Sequence, residues 1–218
     1  MISKIPSLSQ RQSKPFIISV TGSANAVREC YQKIQRAQGL IENPLCMEIN
    51  LSCPNIPDKP PPAYSGSSLA EYLTVLAEEK TAGEGRVAVG IKTPPYTYHD
   101  QFQTLIDALL ASCNPTCPVD FITAVNTLGS SLVLADIDGS PAINSATGAG
   151  IGGMAGSPLH ALALGNVRTI RSMLDQHEQL KCIDIIGIGG VVGVGTALGR
   201  EGVDVFEKIL GAIEADSI

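Results

Sequence analysis

Tryptophan is absent from this chain of 218 residues, and aromatic residues make up only 4% of it. A core without large rings has to be built from aliphatic side chains, and a hydrophobic content of 44% supplies them. Positive charge is also scarce: 15 Lys and Arg stand against 21 Asp and Glu, a net charge of −6. That balance leaves no electrostatic footprint for nucleic acid. An anionic substrate would need cations placed locally, because the global field opposes it. No apolar run approaches the ~20 residues of a membrane span, and residues 1–14 lack an apolar signal-like stretch. No membrane partner is expected. The six cysteines (Cys30, Cys46, Cys53, Cys113, Cys117, Cys182) show no disulfide framework. Cys113 and Cys117 are wrongly spaced for a zinc knuckle and have no His nearby, so no metal site is expected. Scattered thiols suit a reducing compartment, which makes a cytoplasmic location the expectation.

Glycine is abundant, at 22 residues, as an α/β protein with many tight strand-to-helix turns requires. The length allows one domain with a sizeable core. After a polar head (1–14), a domain over 15–218 alternates strand and helix patterns. Phe16–Val20 reads as a strand, and Ser23 as the cap of a helix burying Val27, Tyr31 and Ile34. Leu45–Leu51 is the next strand. Ser67 or Ser68 opens a second helix with Leu69, Leu73, Leu76 and Ala77 as its buried stripe. Arg86–Lys92 is a strand stopped by Pro94-Pro95, followed by a helix on Phe102, Leu105, Ile106 and Leu109. Asp120–Asn126 is another strand, and the stretch 131–143 suggests a hairpin around Asp138-Gly139. A glycine-rich segment (148–153) precedes a helix over 158–176. Strands are expected at 183–187 and at 192–196, and a closing helix at 201–215.

Alternating strands and helices imply parallel βαβ units. Polar residues gather where the strands end, which is where TIM-type barrels carry their sites. A barrel needs eight strands, and about six are legible. A βα unit takes roughly 30 residues, so the shortfall is about 60 at the N-terminal side. Gly189-Gly190-Val191 also joins Val192-Gly193-Val194 directly, whereas parallel neighbours need a crossover of about a dozen residues. The chain therefore reads as an incomplete barrel, internally deleted between its last two strands or joined across a stretch it does not carry. Exposed parallel edges predict weak or absent cofactor binding and a tendency to aggregate.

The most informative stretch is Asn50-Leu51-Ser52-Cys53-Pro54-Asn55. It begins as an alternating strand and is broken by Pro54, Pro57, Pro60, Pro61 and Pro62 into a loop at the strand's C-terminal end. A lone Cys is most often a small buried hydrophobe. Cys53 instead has Asn50, Ser52 and Asn55 around it, hydrogen-bonding neighbours that a packing Cys does not need. NLSCPN followed by IPDKPPPAY resembles the active-site loop of the dihydroorotate dehydrogenases, specifically the soluble, fumarate-using class 1A. The membrane-bound class carries Ser at the Cys53 position, and the related dihydropyrimidine dehydrogenases have His at that of Asn55. The resemblance runs from about Lys14 to the C-terminus and makes KPFIISVTG similar to the third barrel strand. It implies a TIM (β/α)8 barrel of the FMN-dependent oxidoreductase type.

Other strand ends carry further candidates. Asn50, Asn55, Asn126 and Thr127 could hydrogen-bond a planar ring with alternating C=O and N–H groups, Asn126 and Thr127 from the far side; strand-end Asn is otherwise a turn former. Lys92 ends an apolar strand and precedes Pro94-Pro95, an unusual place for a merely solvated charge. Gly148-Ala149-Gly150-Ile151-Gly152-Gly153 matches a dinucleotide fingerprint, but no apolar strand precedes it and no acidic residue follows at the required distance. A loop lying close to a planar cofactor accounts for it better. Gly187-Ile188-Gly189-Gly190 and Gly193-Val194-Gly195-Thr196 place glycines at two strand ends, where backbone N–H groups can approach a phosphate.

By resemblance, Cys53 is the catalytic base, Asn50, Asn55, Asn126 and Thr127 bind substrate, and Lys92 and Gly153 contact the flavin. The family usually has Ser at the Thr127 position. Gly189, Gly190, Gly195 and Thr196 hold the FMN phosphate. The implied activity is oxidation of (S)-dihydroorotate to orotate in pyrimidine synthesis, through FMN, with fumarate as acceptor and the enzyme a homodimer. An unperturbed thiol pKa near 8.5 then predicts activity rising toward alkaline pH. Two other readings are an inactive remnant of such an enzyme and a non-redox, phosphate-binding barrel using only the late glycines.

Overall fold

A computed structural model describes residues 15–52, 61–82, 87–135, 139–141 and 150–189. Five parallel strands form one sheet in the order β1-β2-β3-β4-β7. They are β1 (Phe16–Val20), β2 (Leu45–Asn50), β3 (Ala88–Thr93), β4 (Phe121–Ala124) and β7 (Asp184–Gly187). Helices α1 (Ala24–Gln38), α2 (Gly66–Ala82), α3 (His99–Ala111) and α4 (His160–Leu174) supply the crossovers. A short antiparallel pair, β5 (Leu128–Ser131) with β6 (Gly152–Met154), stands apart after β4. Sequential parallel strands joined by helices, each strand beside its predecessor, are the winding of a TIM-type barrel.

The two faces of the sheet differ in chemistry. Leu45, Met47 and Ile49 of β2, Val89 and Ile91 of β3, and Ile122 and Ala124 of β4 are buried in one apolar core with the helices. Val27, Tyr31 and Ile34 of α1 and Leu69, Leu73 and Leu76 of α2 meet them there. Burying each such aliphatic side chain contributes about 1.5–3 kcal/mol. Helix α1 starts where expected, with the Ser23 hydroxyl accepting a hydrogen bond from the Ala26 N–H at 3.3 Å.

The opposite face carries Cys46, Glu48 and Asn50, then Ala88, Gly90 and Lys92, then Phe121 and Thr123, paired strand to strand in register. In a barrel this is the lumen face. Gly90 is required here, because a Cβ on it would lie 2.1 Å from the Phe121 ring. The ring fills the space that glycine leaves and floors the lumen. Gly90→Ala is expected to destabilise the chain by about 1–3 kcal/mol through overpacking. In urea melts the loss should shrink in the Gly90→Ala/Phe121→Leu double variant; an unchanged loss would mean that the ring is not what the methyl meets.

Several boundaries differ from the sequence reading. The second helix starts at Gly66, and its buried stripe includes Tyr72 and Val75, with Ala77 only half-buried. The stretch read as one helix over 158–176 begins with a 3-10 turn (Ser157–Leu159) and is α-helical only over His160–Leu174. In the hairpin expected over 131–143, the described residues show an antiparallel bridge between Leu134 and Pro141 and a hydrogen bond from the Ala135 N–H to the Ser140 carbonyl at 2.8 Å. A second pairing that the sequence reading did not expect joins Leu128–Ser131 to Gly152–Met154, so part of the glycine-rich segment is strand. Five strands of the expected six lie in the sheet; the sixth (192–196), the closing helix (201–215) and the polar head (1–14) lie outside the described residues. Among the described residues no helix is long and apolar enough to cross a membrane, and no His/Cys/Asp/Glu group could hold a metal ion.

Candidate active site at the strand ends

Strand β2 delivers Asn50 to the lumen face, and the chain runs on through Leu51, buried in the core, to Ser52, also buried. The Asn50 side-chain oxygen accepts three hydrogen bonds: from the Ser52 N–H at 3.2 Å, the Ser52 hydroxyl at 3.0 Å and the Asn126 amide at 3.3 Å. The Asn126 Nδ2 also donates to the Ser52 carbonyl at 3.2 Å and hydroxyl at 2.9 Å. Its Oδ1 accepts the Thr127 N–H at 2.9 Å. This knot ties the end of β2 to the end of β4 and fixes the backbone immediately before Cys53. The Asn50 Nδ2 makes no hydrogen bond among the described residues, so its two hydrogens can donate to a bound molecule. Asn126 therefore stands beside Asn50 and is tied to it; the two do not face each other across the site.

Lys92 lies on β3, the strand between β2 and β4. It pairs in register with Asn50 on one side and Thr123 on the other. Its side chain is half-buried and makes no hydrogen bond or ion pair among the described residues. A lower layer underlies this row: Glu48 is buried, 6% exposed, and one of its carboxylate oxygens accepts the Ser19 hydroxyl at 2.6 Å. Thr123 is 1% exposed, and its hydroxyl has no hydrogen-bond partner. The sequence reading missed Glu48 and Thr123. The signal was the alternation itself, since Ile122 and Ala124 on the core face send Thr123 to the lumen.

The loop leaving β3 is held by Tyr96. Its hydroxyl donates to the Ala63 carbonyl at 3.0 Å, and its ring meets Tyr64 and Phe102 edge-on at 5.9 and 5.2 Å. Burial pushes the phenol far above its usual pKa, so it stays protonated. Ala63 in turn donates its N–H to the Leu51 carbonyl at 3.1 Å. The far end of the Cys53 loop is thereby pinned back against the strand that begins it.

Thr127 and Gly153 are in contact: a Cβ on Gly153 would lie 2.1 Å from the Thr127 Oγ1. The absent side chain of Gly153 makes room for Thr127 across the β5–β6 pair. Gly189, just past β7, has φ +121, and a Cβ there would come within 2.8 Å of the Ala163 methyl of α4. Glycine is thus required by conformation and by close approach at the strand end expected to meet a phosphate. Cys53, Asn55, Gly190, Gly195 and Thr196 lie outside the described residues. Of the thiols described, Cys46, Cys113 and Cys117 are all pushed above the usual thiol range, chiefly by burial, Cys117 to about 12. None of these three is prepared as a base.

The dihydroorotate dehydrogenase family model matches residues 1–211. The chain belongs to the dihydroorotate dehydrogenase family. Curated relatives include the dihydroorotate dehydrogenase (fumarate) of Trypanosoma cruzi, 30% identical over 207 residues, and that of Lachancea kluyveri, 29% identical over 213. Each alignment covers 90% of this chain and 62% of the relative, so the chain spans a little under two thirds of their length. Among solved structures, ligand-free DHODH from Eimeria tenella is similar with a TM-score of 0.55 at 18% identity. That match covers 85% of this chain and 53% of the other, and supports the α/β barrel fold.

Proposed function

We propose that the site serves the oxidation of (S)-dihydroorotate to orotate in pyrimidine synthesis, with FMN as cofactor and fumarate as the electron acceptor. The observation that supports it most directly is the row Asn50, Lys92 and Thr123, whose amide hydrogens, ammonium and hydroxyl have no partner among the described residues and lie on one lumen face. A planar heterocycle with carbonyl and N–H edges satisfies such a row. A purely structural core would have closed it with mutual hydrogen bonds.

These residues fit a flavin. Lys92 would lie against the ring and balance negative charge as the ring is reduced, and Gly153 would line its approach. Gly189, with Gly190, Gly195 and Thr196, would hold the phosphate. When bound, FMN supplies a two-electron acceptor for the hydride from C6 of dihydroorotate. Cys53, as thiolate, takes the proton from C5. Asn50, Asn55, Asn126 and Thr127 orient the substrate ring, Asn126 acting through its hold on Asn50 and Ser52 as well. The full protein is proposed, by family resemblance, to act as a homodimer in the cytoplasm.

The reading is tested by titrating the purified chain with FMN and following quenching of flavin fluorescence. Weak but saturable binding, weakened further by at least about tenfold in Lys92→Ala with an unchanged melting temperature, is the outcome that supports the reading, since a hydrogen bond to a charged group contributes about 1.5–3 kcal/mol. A Lys92→Ala chain that fails to fold would make Lys92 structural. Binding of inorganic phosphate with no binding of FMN would favour the non-redox barrel.

A further inference from the structure

Thr123 is not among the residues that the family resemblance carries over. Its side chain must point into the lumen, because the flanking Ile122 and Ala124 are both in the helix-side core. The Phe121 ring, two residues before it, occupies the Cβ side of Gly90, and Lys92 lies two residues after Gly90 on that same side. Thr123 and Lys92 are registered partners on adjacent parallel strands, about 4.8 Å apart in the pairing direction. The hydroxyl is sealed from solvent and has no partner among the described residues, although buried hydroxyls are nearly always bonded. Beside it the Lys92 ammonium, with three donors, makes no hydrogen bond or ion pair among the described residues. Two adjacent groups, an acceptor and a donor, are each without a partner among the described residues.

We infer that Thr123 is a positioning residue of the flavin site, whose hydroxyl accepts a hydrogen bond from the Lys92 ammonium when FMN is bound and sets that ammonium at the level of Asn50. The inference rests on the flavin reading proposed above. The bond would form with the flavin bound, because a bound ring would displace the water that solvates the lysine head. A residue with a merely structural role would behave differently, since its hydroxyl would already be bonded without ligand.

The test compares Thr123→Val and Thr123→Ser in the whole chain. FMN is titrated into the millimolar range so that weak affinity is still read, and the melting temperature is taken without flavin. Thr123→Val should melt at or above the wild-type temperature, because it removes a buried hydroxyl that bonds to nothing. Its FMN affinity should fall about tenfold or more, and Thr123→Ser should restore most of it. In a Lys92→Ala background, Thr123→Val should cause no further loss, because the bond it removes is already gone. Equal FMN affinity in wild type and Thr123→Val overturns the inference and leaves the flavin reading intact. So does a full additional loss in the Lys92→Ala background, or a lowered flavin-free melting temperature. No saturable FMN binding by the wild-type chain overturns both.

Discussion

In a version of the chain extended to the length of its relatives, replacing Cys53 by alanine is expected to lower the proposed dihydroorotate oxidation by about 10²- to 10⁴-fold, the usual contribution of a positioned base. FMN affinity should be unchanged, because the proposed role of the thiol is to move a proton and not to hold the cofactor. The residues proposed to face the flavin, Lys92 and Gly153, are on β3 and β6, whereas Cys53 follows the knot that joins β2 to β4. The measurement is anaerobic reduction of bound FMN by dihydroorotate, followed by loss of flavin absorbance. Near-normal reduction in Cys53→Ala would remove the thiol from the mechanism. Cys53→Ser should recover activity only at high pH, since a hydroxyl is a far weaker base. The wild-type rate should itself rise as pH approaches the ordinary thiol pKa of about 8.5.

Asn166→Leu is expected to cost about 2–6 kcal/mol of stability. Asn166 is 2% exposed, on α4, and brackets the backbone of Tyr96. Its Oδ1 accepts the Tyr96 N–H at 2.8 Å, and its Nδ2 donates to the Tyr96 carbonyl at 3.0 Å and to the Leu162 carbonyl at 3.0 Å. Leucine keeps the volume but strands both backbone groups of Tyr96, and each unsatisfied buried group costs about 1–3 kcal/mol. The proline-rich exit from β3 has no strand partner to take over those bonds. Urea melts should show a lower midpoint with an unchanged slope. Asn166→Asp keeps the acceptor and loses the donor, so it should fall between the two. A loss under about 0.5 kcal/mol for Asn166→Leu, the range of ordinary surface substitutions, would show that the bracket does not anchor the loop.

The difference between these residues shows what could be read in advance. Strand and helix order was legible because apolar spacing is a local property: Leu45, Met47 and Ile49 alternate, and Val27, Tyr31 and Ile34 recur at helical spacing. The breaks were legible as well, since proline and glycine act on their own backbone. The family was legible in NLSCPN, and Lys92 stood out by its position at the end of an apolar strand. The pairing of Leu128–Ser131 with Gly152–Met154 was not, because both segments are short, rich in glycine and serine, and give no periodic signal.

What the sequence determined by itself is the parallel α/β class and the polar residue types placed at the strand ends. What only the tertiary structure decided is how those residues meet. Asn50 and Asn126, 76 positions apart, share Ser52, and Asn166 closes on Tyr96 from 70 positions away. Thr123 came into view only when register set it beside Lys92. Register depends on which strands lie side by side and on the bulk that fills the lumen, here Phe121 over Gly90. These are contacts between distant segments, and no local pattern of residues encodes them.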